Sequence, residues 1–347
     1  MAPIRNSQVI FNEIPKGLPE PGKTTIFNDK NTIDPETVPL DGSFLVKVLV
    51  LSADPYMRGK MRPVEVPSYT PAYLPGKAIY GYGVGKVVKS DHSGFSKGDY
   101  VTSVMMDHAE YWVPSKDDFS TIKKFTPEPG LPLSVYLGAA GMPGRTAYIA
   151  WSMYAHAKKG QVCFVSAGAG PVGAFVIQLA KRDGMKVIAS AGSDEKLRQC
   201  KEFGADVVFN YKTQSTEEVL AKEGPIDVYW DNVGGATLDA AFGNAALHAR
   251  FIICGFITQY NSQEATPYKN IAHILFKRII VSGFLVFDHE AEWEDKFYAE
   301  IPKLLASGQL KYSEDRSKGL EKSGEALLEV QVGKNVGKKI IVVADDD

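Results

Sequence analysis

Val162-Cys-Phe-Val-Ser-Ala-Gly-Ala-Gly-Pro-Val-Gly173 runs from a short apolar stretch into three glycines spaced Gly168-x-Gly170-x-x-Gly173. Ala174-Phe-Val-Ile-Gln-Leu-Ala-Lys181 then continues with the pattern of a helix. The glycine spacing alone is a weak signal. A strand before it and a helix after it give it the meaning of a dinucleotide-binding turn. Gly168 permits the tight turn, Gly170 lets backbone approach a pyrophosphate, and Gly173 allows the helix to pack close on the strand. The helix start offers unpaired N–H groups and the positive end of its dipole to phosphate.

Working outward, helix and strand patterns alternate from about 140 to 315, which predicts a doubly wound parallel α/β sheet. Strands are expected at 162–166, 186–190, 206–209, 227–230, 250–254 and 279–284. Trp293, Phe297, Ile301, Leu304 and Leu305 have helical spacing, with Gly308 as the C-cap. Residues 1–139 differ in texture. Short β-type runs (Phe44–Leu51, Gly83–Val88) are separated by turn signals such as Asp41-Gly42 and Lys97-Gly-Asp99, which predicts a mostly β domain. Lys339-Ile-Ile-Val-Val343 reads as a last strand returning to that domain, with Asp345-Asp-Asp347 fraying beyond it. The expected organisation is therefore 1–139 with 316–347, and 140–315. A length of 347 residues agrees with two domains at ~150 each.

The choice of dinucleotide turns on the second strand, Lys186-Val-Ile-Ala-Ser-Ala-Gly192. An NAD site places an acid at the end of this strand, about 20 residues past the glycines, for the ribose 2′-hydroxyl. Positions 187–193 carry none. Ser193 follows as an N-cap, Asp194 and Glu195 suit the helix dipole, and Lys196 opposes it. A 2′-phosphate nearby explains that lysine and favours NADP(H). The competing local reading is a solvated lysine neutralised by Asp194 and Glu195.

Composition excludes several classes. Lys+Arg 39 against Asp+Glu 41 leaves a formal charge of −2, which disfavours nucleic acid and anionic membrane as partners. The N-terminus lacks the apolar core of a signal peptide, and Ile279–Phe287 falls far short of the ~20 apolar residues of a membrane span. Cys163, Cys200 and Cys254 form no CxxC pair, which speaks against a zinc cage and for a reducing, cytoplasmic setting. Cys163 reads as a buried small hydrophobe. The six histidines (92, 108, 156, 248, 273 and 289) share no ligand spacing, and Ser166 lacks the context of a hydrolase nucleophile.

The chain as a whole resembles the zinc-independent medium-chain dehydrogenase/reductases, in the group of prostaglandin reductase and plant 2-alkenal (double-bond) reductases. Besides the glycine loop, the resemblance rests on Ser52-Ala-Asp-Pro-Tyr-Met-Arg58, Gly81-Tyr-Gly-Val-Gly85, Gly141–Tyr148 and Gly192–Lys196. It extends through Phe209-Asn-Tyr-Lys212, Asp231-Asn-Val-Gly-Gly235, Cys254–Asn261, Gly283-Phe-Leu-Val286 and Gly333–Gly337. It implies a Rossmann-type domain plus a GroES-like β domain, an active site in the cleft between them, and a homodimer. It places Gly170, Pro171, Val172 and Gly173 on the pyrophosphate and Lys196 and Tyr211 on the 2′-phosphate side. Asn232, the stretch from Cys254 to Tyr260, and Phe284, Leu285 and Val286 fall along the nicotinamide half. Asn335 reaches the cofactor from the C-terminal segment, and Tyr56 and Tyr82 line the substrate pocket. Arg145 departs from the family pattern, in which an apolar residue is expected; it points either to solvent or toward the cleft. The Cys and Gly-His-Glu of zinc-dependent relatives are missing: the corresponding run is Pro75-Gly-Lys-Ala-Ile-Tyr80, and no Cys precedes 163.

With no metal ligands, the expected chemistry needs another stabiliser of charge. Reduction of an α,β-unsaturated aldehyde or ketone at its β-carbon develops negative charge on the carbonyl oxygen, and a positioned neutral donor serves there. Tyr260 suits the role, since a phenol with a reference pKa of about 10 stays protonated at neutral pH. A quinone reductase, an allylic alcohol dehydrogenase of the same fold and a non-catalytic cofactor-binding scaffold are the alternatives.

Overall fold

The computed structural model describes residues 3–262, 264 and 266–346. The chain divides into two compact units. One comprises Met1–Leu137, Glu314–Asn335 and Lys339–Asp347; the other comprises Gly138–Ser313 and Val336–Lys338.

In the second unit, six strands form one sheet in the spatial order Val207–Asn210, Lys186–Ala191, Val162–Val165, Ile226–Asp231, Ala245–Ile253 and Ile280–Gly283. Every neighbouring pair is parallel. The order is 3-2-1-4-5-6, the doubly wound Rossmann arrangement. Strands buried on both faces need continuous apolar runs, and Cys163, Phe164 and Val165 are wholly buried. Aromatic rings fill one side of the sheet. Phe164 stacks on Tyr229 at 4.9 Å, and Phe242 on Phe251 at 5.1 Å. The fifth strand starts at Ala245, earlier than its apolar run suggests, because Ile226 pairs Ala245 before a register shift that brings Val228 opposite Arg250.

The first unit is a GroES-like β domain. Its main sheet runs Glu314–Lys318, Lys338–Val342, Phe44–Ser52, Tyr80–Ser90, Tyr100–Asp107 and Lys123–Phe125, with Tyr111–Trp112 pairing Phe44–Ser52. The late strand lies antiparallel to Phe44–Ser52, Ile341 opposite Leu51. The C-terminal tail does not fray as its charge suggests. The Asp346 carboxylate accepts from Lys86 Nζ (2.9 Å) and the Tyr100 hydroxyl (2.6 Å). Asp347 lies outside the described residues.

Arg145 does not point to solvent. Its side chain is 6% exposed within the second unit and pairs with Glu290 (2.8 Å) and Glu294 (3.1 Å). These carboxylates stand four apart, on one face of the helix Glu290–Ala306. Taking a guanidinium out of water is tolerable only with such partners. Arg145→Leu leaves two part-buried carboxylates unneutralised, an expected cost of about 3 kcal/mol. The thermal transition should fall by roughly 6–10 °C. Adding Glu290→Gln and Glu294→Gln to that variant should recover most of the loss. A single variant that melts with the wild type would show that the triad contributes nothing.

Candidate active site

In a sheet of this order, the paired strands Val162–Val165 and Ile226–Asp231 meet at the switch point, where the connections leave their C-terminal ends in opposite directions and bound a crevice. The glycine turn leaves the first of these strands and Asn232–Gly235 leaves the other.

The glycine turn is close-packed. A Cβ on Gly173 would lie 2.6 Å from the Ala167 carbonyl oxygen and 2.9 Å from Gly168 Cα. One on Gly168 would meet Ala189 Cβ at 2.9 Å and Cys200 Sγ at 3.1 Å. Gly168 thus serves close approach, whereas the left-handed residue of the turn is Ala167, at φ +49°. At Gly170 a Cβ meets only the Ala167 carbonyl, at 3.3 Å. Gly170 is the N-cap of the helix Pro171–Arg182, with Pro171 in its first turn, where a missing N–H costs nothing. This backbone, bare of side chains at a helix start, fits a pyrophosphate.

A buried polar set ties the two strand ends together. Asp231 Oδ1 accepts from the Tyr229 hydroxyl (2.7 Å), Val233 N–H (2.9 Å) and Gly234 N–H (2.8 Å). Ser166 Oγ accepts from Asn232 N–H (3.0 Å), and the Asn232 side-chain amide donates to the Ser166 carbonyl (2.7 Å). Burial pushes the Asp231 carboxyl and the Tyr229 phenol upward, and the hydrogen bonds from Gly234 and Val233 oppose the shift at Asp231. From sequence, Ser166 comes into view only as a hydrolase nucleophile and Asp231 only as the start of a family stretch, neither in this role. Their signal was their position, each the last polar residue of an apolar strand at the switch point.

At the end of Lys186–Ala191, the Ser193 hydroxyl accepts from Lys196 N–H (3.4 Å), capping the helix Asp194–Glu202. The Tyr211 hydroxyl lies over Gly192, where a Cβ would sit 2.9 Å from it. Lys212 shares this corner: its Cε would stand 3.0 Å from the same Cβ. Lys212 was overlooked, though it closes the Phe209-Asn-Tyr-Lys212 stretch. Lys196 and Lys212 thus bring two cations to the helices and turn around this strand end, where no acid stands between 187 and 193.

Cys254 follows the fifth strand, its N–H donating to the Asp231 carbonyl at 2.9 Å. Burial, with Asp231 nearby, pushes its thiol up to about 12, so it is no thiolate nucleophile. Tyr260 closes the short turn Ile257–Gln259. A Cβ on Gly255 would be 3.2 Å from the Tyr260 hydroxyl, so that glycine leaves the phenol its space. Phe284 and Val286 are buried and Leu285 half-buried. The Phe284 ring stacks on His289, ring centroids 5.5 Å apart.

Tyr56, Tyr82 and Asn335 belong to the first unit. Tyr56 and Tyr82 meet edge to face, ring centroids 6.5 Å apart. Burial holds the Tyr56 phenol well above its ordinary value, with Asp54 adding to the shift, so it stays protonated. Among the described residues, no three or more His, Cys, Asp or Glu are grouped to hold a metal ion. No described helix is long and apolar enough to cross a membrane.

Residues 7–122 match the family of the N-terminal domain of oxidoreductases, and residues 171–301 the zinc-binding dehydrogenase family. An NADP(+)-dependent 2-alkenal reductase of Nicotiana tabacum is 40% identical over 98% of both chains. The (+)-pulegone reductase of Mentha piperita is 38% identical over 88% of this chain and 89% of its own. Among solved structures, CurA from Vibrio vulnificus in complex with NADPH superposes with a TM-score of 0.87 at 31% identity, covering 98% of this chain and all of that one. With the Rossmann order and the glycine cradle, these similarities establish the family: the chain belongs to the zinc-independent medium-chain dehydrogenase/reductases, in the alkenal reductase group, and is an NADP-dependent oxidoreductase.

Proposed function

We propose that the chain reduces the carbon–carbon double bond of α,β-unsaturated aldehydes and ketones, with Tyr260 as hydrogen-bond donor to the carbonyl oxygen. The observation that carries this reading is the Tyr260 hydroxyl over Gly255, on the loop leaving the strand Ala245–Ile253, in the unit that carries the glycine cradle. The similarity to 2-alkenal and pulegone reductases supports it. The glycine turn would hold the pyrophosphate, Lys196, Tyr211 and Lys212 the 2′-phosphate, and Asn232, Cys254, Phe284–Val286 and Asn335 the remainder. When bound, NADPH supplies the hydride for the substrate's β-carbon. Tyr260 donates to the oxygen on which negative charge develops, an interaction stronger in the transition state than in the ground state. Tyr56 and Tyr82 serve as walls of the substrate pocket. Three free cysteines suit a reducing compartment, and we place the protein in the cytoplasm.

We also propose that the active form is a homodimer. The edge strand Ile280–Gly283 leaves one row of backbone groups without a strand partner among the described residues and exposes Ile280 and Val281. Leu275 and Phe276, just before it, are exposed as well. An apolar open edge suits a second copy of the same strand. Sedimentation should give a dimer for the wild type and a monomer for Ile280→Lys/Val281→Lys. A monomeric wild type would refute the dimer.

Cofactor choice is tested by steady-state kinetics. Lys196→Ala should raise the KM for NADPH about 10-fold while barely affecting NADH, since a charge-assisted bond is worth roughly 1.5–3 kcal/mol. Lys196→Ala/Lys212→Ala should extend this toward ~100-fold. Equal losses with both cofactors would show that neither lysine reads the 2′-phosphate.

The mechanism is tested by Tyr260→Phe, which removes the hydroxyl and keeps the ring. NADPH oxidation with a panel of 2-alkenals, quinones and ketones should show alkenal turnover reduced about 10²-fold. A quinone, whose charge is delocalised, should suffer less, and NADPH affinity should hardly change. Wild-type alkenal rates in the variant, with hydride transfer rate-limiting, would remove Tyr260 from the chemistry.

A further inference from the structure

Lys60 ends the short helix Met57–Lys60, which begins directly after Tyr56. Its side chain is buried in the β unit, the residue 1% exposed. The ammonium faces aromatic rings: Nζ is 3.7 Å from the Tyr80 centroid, 5.3 Å from that of Tyr73 and 5.7 Å from that of Tyr56. Among the described residues no carboxylate pairs with it. Two partners of this cage are themselves fixed. The Tyr73 hydroxyl donates to the Tyr80 carbonyl (2.6 Å), Tyr73 N–H donates to the Lys60 carbonyl (2.8 Å), and the two rings meet edge to face at 5.1 Å. Tyr56 is held differently: its hydroxyl is buried with no hydrogen-bond partner, so only packing and the Lys60 cation restrain the ring beside Tyr82.

We propose that Lys60 is a positioning residue of the substrate pocket, its ammonium holding the Tyr56 ring in place as a wall of that pocket. The inference rests on the reading of Tyr56 as a wall of the alkenal pocket. A cation against the face of a phenol is attracted by the ring quadrupole, more strongly where water is excluded. Burial and the charge of Arg62 push the Lys60 amine down to about 7, whereas the three ring faces favour its charged form. Arg62 is held by the carbonyls of Gly59 and Val66, each at 2.9 Å. His108, at the end of the strand Tyr100–Asp107, is pushed down to about 3 by burial and by Lys60, so it stays neutral. Asp54, bonded by Ser52, acts on Tyr56 and Tyr73, and Asp118 and then Asp107 act on Tyr80. The charge at Lys60 is therefore present below about pH 7 and lost above it, and substrate affinity follows in the same direction.

Kinetics with a 2-alkenal between pH 6 and 8.5 test this in wild type, Lys60→Met and Lys60→Arg. The wild-type KM should rise about 5-fold across that range. Lys60→Met should show a KM raised about 5–10-fold at pH 6 and flat with pH, with kcat little changed. Lys60→Arg, charged throughout, should keep the low KM at every pH. A folded Lys60→Met enzyme with the wild-type KM and pH profile would overturn the proposal. Failure of the functional reading is separable: a wild type that reduces no alkenal refutes that reading alone. Near-UV circular dichroism then decides the role of Lys60. A tyrosine transition near pH 7, present in wild type and absent from both variants, supports the cage; a wild-type signal flat across the range overturns it.

Discussion

The dinucleotide-binding half depends on one buried carboxylate. Asp231 ends the fourth strand of the sheet order, and its Oδ1 gathers the Tyr229 hydroxyl and two consecutive backbone N–H groups of the next turn. Ser166, at the end of the neighbouring strand, binds Asn232 through both its hydroxyl and its carbonyl. Where the chain turns out of the sheet in opposite directions, these buried polar groups would otherwise be left unpaired, each costing about 1–3 kcal/mol. Because the bonds cross from one strand end to the other, the glycine turn and the turn before the helix Gly235–Gly243 hold one geometry together.

How much of this was legible in the sequence depends on the range of the interaction. The glycine turn was legible because its requirement is steric and local: Gly173 lies where a side chain would strike the Ala167 carbonyl, and the glycine shows in the sequence. The parallel strands were legible as apolar runs, since burial on both faces leaves no alternation. Arg145 was not. Its partners lie about 150 positions away, on a helix whose exposed face would carry glutamates in any case. Asp346 misled for the same reason, reading as a solvated tail while Lys86 and Tyr100 waited on two other strands. Ala167 shows a subtler limit. Beside a glycine, it takes the left-handed conformation itself and leaves Gly168 for close packing.

The protonation states around the candidate chemistry share a direction. Burial raises Cys254 and Tyr56, which keeps a thiol and a phenol neutral. Neutral donors suit a reaction in which negative charge appears only on the way to the transition state, because they favour the charged oxygen without binding a fixed anion beforehand. Fixed positive charge also stands at the corner shared by Gly192, Tyr211 and Lys212, which we propose takes the permanent anion of the 2′-phosphate.

Two of the buried cations among the described residues, Arg145 and Lys60, are stabilised by opposite means, and the difference has a consequence. Arg145 sits between two carboxylates, which cancel its field and turn the charge into a structural clamp. Lys60 sits among ring faces, which stabilise the ammonium while leaving its charge uncancelled. A carboxylate in place of those rings would hold the lysine more firmly, yet it would oppose any negative charge forming near Tyr56. Rings avoid that penalty and accept a weaker hold on the proton. A cation needed only for architecture is best served by the first arrangement; one meant to act on its surroundings requires the second.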